Sequence, residues 1–243
     1  MKVAVIGAGN GGRAYAAYLA NLGIKVNLVF RTISNLSSIY RNHSILSRGK
    51  IDKILKIHRV TNDIELAIRN AKIILIVLPA CIHKEIAKAI GPFLQDEQII
   101  LLNPGRTWGA IEFRNTLKAI NPNGNVYVGE TQTLLFTSRK IEDFGVEIYD
   151  IKKKVQFCFY PEHHNSIMIP IIRSIFPQLY PVDDIRITGL NNIGMIVHPT
   201  ISILNAARID AGKKFYFYQD GVSRSVAKVL KQIDQERLRI MDK

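Results

Sequence analysis

The residues best placed to do chemistry begin near the amino terminus. Gly7-Ala8-Gly9-Asn10-Gly11-Gly12 fits the pattern G-x-G-x-x-G. It follows a short apolar run and opens a segment with helical spacing, the context in which this pattern holds a dinucleotide. Gly7 suits a tight turn, Gly9 a close approach of backbone to a pyrophosphate, and Gly12 close helix–strand packing. Free N–H groups and the helix dipole at such a start favour an anion. The second strand should end near Phe30-Arg31-Thr32, where an acid would bind the ribose 2′-OH of NAD. With no acid there, Arg31 offers a fork of donors to a 2′-phosphate, so NADP is expected in preference to NAD. Further strand ends at Leu78-Pro79 and Asn103-Pro104 complete the expected cofactor-binding set, and Glu130, Thr131 and Gln132 stand at another, where substrate groups are expected.

The elements that must position these groups alternate between strand and helix. Lys2–Ile6, Ile24–Phe30, Ile73–Leu78, Gln98–Leu102 and Val126–Val128 read as strands, several of them apolar throughout, as strands buried on both faces must be. Arg13–Leu22, Asn62–Ala71 and Ile82–Ile90 read as helices, the first stopped by Gly23. The pattern predicts an α/β fold, a doubly wound Rossmann-type parallel sheet over residues 1–185. A partial, mainly α-helical second domain is expected over 186–243, with helices at Thr200–Asp210 and Val222–Ile240 and one weak strand at Lys214–Tyr218.

Composition narrows the class. The 243 residues are 47% hydrophobic and 22% charged, a globular balance. No apolar run is long enough to span a bilayer, and the opening run is cut at Gly7, where a signal peptide would continue. Cys81 and Cys158 are too few for a disulfide framework or thiolate site, and their apolar surroundings predict buried, inert thiols. No metal site is expected, since the neighbouring His163 and His164 point apart. A cytoplasmic location follows as the default. The net charge of +13 is spread along the chain, including Arg41–Arg59 and the C-terminal segment. Without a nucleic-acid-binding signature it reads as a solvated basic surface, with neither nucleic acid nor membrane as a partner.

Four further segments carry a resemblance. Asn103-Pro104-Gly105-Arg106-Thr107, Glu130-Thr131-Gln132-Thr133-Leu134-Leu135, Asn191-Asn192-Ile193-Gly194-Met195-Ile196-Val197-His198-Pro199, and Asp220-Gly221-Val222-Ser223 with Ser225-Val226-Ala227 resemble the opine dehydrogenase (octopine/nopaline dehydrogenase) family. The likeness runs in the family's order from Met1 to about Arg239. It implies an NAD(P)H-dependent reductive condensation of a 2-oxo acid with the amino group of an amino acid, and the reverse oxidation. The family's catalytic histidine falls on His198. Pro199, a residue favoured in a first helical turn, places His198 at a helix cap. A homo-oligomer through the second domain is a further expectation.

Two departures from the family stand out. Trp108 occupies a position where the family has a small residue. An Arg-Tyr-x-x-Glu-Asp motif, which in the family binds substrate carboxylate and orients the histidine, is not found here. The chain therefore reads as lacking the last part of the family's helical domain: a fragment, a truncated reading frame or a degenerate member. The alternatives are a cofactor-binding remnant without catalysis, or a related dehydrogenase acting on a hydroxy acid or a glycerol phosphate.

Overall fold

The computed structural model describes residues 1–31, 37–212 and 214–241. Thr32, expected beside the cofactor, lies outside them. Two compact units are present, Met1–Gly189 and Leu190–Lys243.

The first unit opens with β1 (Lys2–Ile6), α1 (Asn10–Asn21), β2 (Lys25–Val29) and α2 (Ser37–Asn42). Then come β3 (Ser44–Gly49), β4 (Lys53–Lys56), β5 (Arg59–Thr61), α3 (Ile64–Ile68), β6 (Ile73–Ile76) and α4 (His83–Ile90). β7 (Ile99–Leu102), α5 (Gly109–Ile120), β8 (Tyr127–Thr131), β9 (Phe136–Ile141) and β10 (Gly145–Ile151) follow. The unit finishes with β11 (Val155–Tyr160), α6 (Asn165–Ile175), β12 (Leu179–Pro181) and α7 (Ile185–Leu190), whose last residue falls in the second unit.

Eight strands form the main sheet in the order β12-β11-β8-β7-β6-β1-β2-β5. All neighbours are parallel except β11, which runs antiparallel to β8. The order reverses at β1, flanked by β2 on one side and β6 on the other. Ligands of open α/β sheets bind at the carboxyl ends beside such a reversal. The unbroken apolar runs are explained by burial on both faces. Val3, Val5, Ile73, Leu75, Ile99 and Leu101 enter one hydrophobic cluster, while their alternating neighbours Ala4, Ile6, Ile74, Ile76, Ile100 and Leu102 enter the other.

A second sheet, β4-β3-β10-β9, has no counterpart in the sequence reading. Much of the basic Arg41–Arg59 segment is therefore folded strand, with Ile45, Leu55 and Ile57 buried among α1 and its neighbours. Cys158 is buried as expected, but Cys81 is exposed, because it lies in the 3-10 turn before α4.

In the second unit, the expected helix from Thr200 is instead α8 (Gly194–Leu204) followed by α9 (Ala206–Asp210), and α10 (Arg224–Met241) completes it. The break falls at Asn205, whose side-chain amide donates to the carbonyls of Ile201 and Gly221, both at 2.9 Å. Lys214–Tyr218 is not a strand: its described residues lie in irregular backbone and turns. Among the described residues no helix is long and apolar enough to cross a membrane.

Candidate active site

The glycine turn joins β1 to α1 at the point of strand-order reversal. Gly7 has φ +112°, a conformation that side chains disfavour. A Cβ on Gly12 would lie 1.7 Å from the Gly7 carbonyl oxygen, so the helix can close on the turn only with glycine there. At Gly9 a Cβ would meet nothing within 4 Å. That space is open beside the amino terminus of α1, which has no side-chain cap and no acid in its first turn. Uncapped N–H groups next to open space are what a pyrophosphate requires. The residues present therefore fit a dinucleotide.

Behind the turn lies a cavity of about 270 Å³, with Gly7, Arg31 and Leu78 in its wall among mainly apolar side chains, including Phe30 and Ile86. Three of the expected cofactor residues thus share one cavity. Pro79 is exposed at the adjoining 3-10 turn. Ala8, Asn10 and Gly11 are fixed from outside the turn. Arg13, buried, donates from Nε to the Ala8 carbonyl (3.0 Å) and from Nη1 to the carbonyls of Glu142 (2.7 Å) and Gly145 (2.9 Å). Lys140 N donates to Asn10 Oδ1 at 2.9 Å, and Gly11 abuts Val77 and Leu134. The β9–β10 hairpin is thereby tied to the phosphate turn, a role no local pattern around Arg13 announces.

Asn103 and Pro104 are buried at the end of β7. The Tyr15 hydroxyl, from α1, donates to Asn103 Oδ1 at 2.9 Å and accepts from Leu135 N at 3.4 Å. Thr131, also buried, donates from Oγ1 to the Leu102 carbonyl at 3.3 Å. Gln132 is partly exposed, with its N–H bonded to the Gln156 carbonyl at 2.9 Å.

Glu130 is wholly buried rather than presented to a cleft. Oε2 accepts from Ala110 N at 2.8 Å, at the start of α5, and Oε1 lies 2.7 Å from Thr188 Oγ1. Thr188 Oγ1 is also 2.8 Å from the Ile185 carbonyl. One hydroxyl proton cannot serve both acceptors, so ionised Glu130 and the Ile185 carbonyl compete for it, and a proton on Glu130 would free it for Ile185. Burial pushes this carboxyl up to about 7, against the two hydrogen bonds. Gly105 must be glycine, since a Cβ would collide with the Glu130 side chain. The same turn holds Arg106 (φ 63°) and Trp108 (φ 58°) in the left-handed region, Trp108 packing against Gly189. His83 is buried nearby: its Nε2 donates to the Leu78 carbonyl at 3.2 Å, and burial lowers its pKa.

In the second unit His198 is exposed and sits inside α8, not at its cap. The helix starts earlier, at Gly194, so Pro199 is an interior residue. His198 Nε2 lies 2.7 Å from the Tyr218 hydroxyl. Its partner among the described residues is therefore a phenol rather than a carboxylate. Gly194 leaves room for the imidazole, since a Cβ there would be 3.3 Å from Nδ1. Asn192 Nδ2 is buried with no hydrogen-bond partner among the described residues. Neither Tyr218 nor Asn192 stands out in the sequence as a site residue. Arg237, buried on α10, bonds Asp234 (2.8 Å) and the Asn191 side chain (3.3 Å), holding the start of this segment. No cluster of three or more metal-binding side chains occurs among the described residues.

Residues 181–243 match the family model described as NAD/NADP octopine/nopaline dehydrogenase, alpha-helical domain. Residues 2–107 match NAD-dependent glycerol-3-phosphate dehydrogenase N-terminus. An opine dehydrogenase of Arthrobacter sp. (strain 1C) is 36% identical over 238 residues, 98% of this chain and 66% of the relative. Octopine dehydrogenase, solved with NADH and L-arginine, superposes with a TM-score of 0.79 at 19% identity, covering 100% of this chain and 64% of that one. Yersinopine dehydrogenase with NADP+ bound gives 0.77 at 14% identity, over 93% of this chain and 60% of that one. The chain thus spans about two thirds or less of the length of these relatives.

Proposed function

The chain belongs to the opine dehydrogenase family, and from that premise we propose that it joins a 2-oxo acid to the amino group of an amino acid by NAD(P)H-dependent reduction, and runs the reverse oxidation. The observation that carries this reading is the 36% identity to an opine dehydrogenase across 98% of the chain. The match of residues 2–107 to a glycerol-3-phosphate dehydrogenase concerns only the cofactor half.

Gly7–Gly12 and the start of α1 would hold the pyrophosphate. Arg31, at the wall of the adjoining cavity, would pair with a 2′-phosphate, which favours NADP over NAD. Leu78 lines that cavity, Pro79 stands at the adjoining turn, and Asn103-Pro104, braced by Tyr15 at the end of β7, would complete the cofactor contacts. Bound nicotinamide supplies the hydride. Condensation of amine and oxo acid releases water and leaves an imine; reduction at its carbon and protonation at its nitrogen give a secondary amine. His198 is assigned the proton exchange with the substrate, because an imidazole can both take and give a proton near neutral pH. Tyr218 orients the ring through Nε2. Glu130 and Thr131 act as positioning residues for the turns that end β7 and begin α5, and Gln132 is the most accessible of the three for substrate contact. The exposed Ile203, Tyr216 and Leu238 support self-association through the second unit.

Replacement of His198 by alanine tests the assignment. Turnover should fall by about 10²- to 10⁴-fold with cofactor affinity unchanged. An unaltered kcat would remove His198 from the chemistry.

A further inference from the structure

The edge of the main sheet opposite the glycine turn carries a second concave site. A cavity of about 240 Å³ opens at the amino ends of β7 and β8, between the last turns of α5, the Asn121–Asn125 turn and the start of α6. Its charged lining is all of one sign, Arg114 and Lys118, with the His164 imidazole beside them and no Asp or Glu. Leu94, Leu117 and Val126 supply an apolar floor.

Arg114 and Lys118 are one helical turn apart, so both project on the same face of α5. Among the described residues neither makes an ion pair. Arg114 is held over the Tyr160 ring at 5.8 Å, which leaves the donors at the guanidinium edge available. His164 stands edge-on to Tyr127 at 5.0 Å, and its Nδ1 is buried with no hydrogen-bond partner among the described residues. The two cations repel each other across one cavity, and among the described residues neither they nor the buried imidazole nitrogen has a hydrogen-bonding counterpart there. An oxyanion would answer all three groups, and the floor would cover a short apolar body attached to it.

We propose that this cavity binds a small organic oxyanion, a phosphate or carboxylate on a short apolar body, gripped by Arg114, Lys118 and His164. The site is separate from the dinucleotide turn and does not depend on the reaction assigned above. Burial and the neighbouring charges of His163 and Arg114 hold the His164 imidazole neutral, and a bound anion would raise its pKa.

The test follows the His164 ring signals by NMR, assigned with His164→Gln, while inorganic phosphate and then phenyl phosphate are titrated. Saturable shifts are expected, with phenyl phosphate binding more tightly. Lys118→Glu, at an exposed position that the fold does not need, and Arg114→Gln should each weaken binding about 10-fold or more. No saturable shift, or one that survives both substitutions, would overturn the proposal. So would equal affinity for the two probes, which would leave the apolar floor without a role.

Discussion

Replacing Glu130 by glutamine should stabilise the protein above about pH 4.5, with the full effect from about pH 7 upward. Glutamine can donate from Nε2 to Thr188 while its oxygen accepts from Ala110 N, reproducing the neutral carboxyl in shape and polarity. Glu130 ionises near 4.5 in an unfolded chain and at about 7 in the folded one. Its folded pKa is raised, so the native state holds the proton more tightly and wild-type stability falls as pH rises from about 4.5 to about 7. At about 1.4 kcal/mol per tenfold, the full loss above pH 7 is about 3 kcal/mol. Below pH 4.5 both proteins are neutral at this position and should be equally stable. Urea unfolding of the two proteins between pH 4 and 8 reads the difference, and the buried His83 contributes to both curves. A Glu130→Gln protein less stable than wild type at pH 8, or a difference that does not vary with pH, would refute the raised pKa of Glu130 beside Thr188.

Arg31→Ala should erase a preference for NADPH over NADH of about 10- to 150-fold, the worth of one charge-assisted hydrogen bond; isothermal titration of both cofactors measures it, and an unchanged ratio removes Arg31 from the site. Gly9→Val should abolish cofactor binding without changing thermal stability, because its side chain enters only the open space beside α1. Gly12→Ala should instead lower stability by more than about 2 kcal/mol, since its Cβ meets backbone; similar melting of the two variants would contradict these separate roles. Tyr15→Phe should cost about 1 to 2 kcal/mol by leaving Asn103 Oδ1 without its 2.9 Å donor, and should weaken NADPH binding. Full affinity with unchanged stability would show that the brace is not used.

The cofactor half was legible in the sequence because its signals are local. A strand buried on both faces is an unbroken apolar run, and a pyrophosphate turn needs glycines at set spacing, so Lys2–Ile6 and Gly7–Gly12 announce themselves. The second sheet was not legible. Its strands carry many exposed basic residues, as in Lys53–Lys56, and β3 pairs with β10 across a long stretch of chain. Arg13 looks like any surface arginine until the β9–β10 hairpin folds over it. Glu130 was located correctly at a strand end, but sequence shows neither its burial nor its tie to Thr188, which comes from a distant helix. His198 was found through a motif. Its place inside α8 was missed because Pro199 pointed to a first turn, whereas the helix starts earlier at Gly194.

The central claim is that this chain makes a carbon–nitrogen bond and reduces it. Its most direct test is NADPH oxidation by the purified protein with a panel of amino acids paired with pyruvate or 2-oxoglutarate, the product weighed by mass spectrometry. The expected result is oxidation that requires both partners, with a secondary amine whose mass is the sum of the two less one oxygen atom. Oxidation with an oxo acid alone to give a hydroxy acid, or no oxidation with any pair, would contradict it.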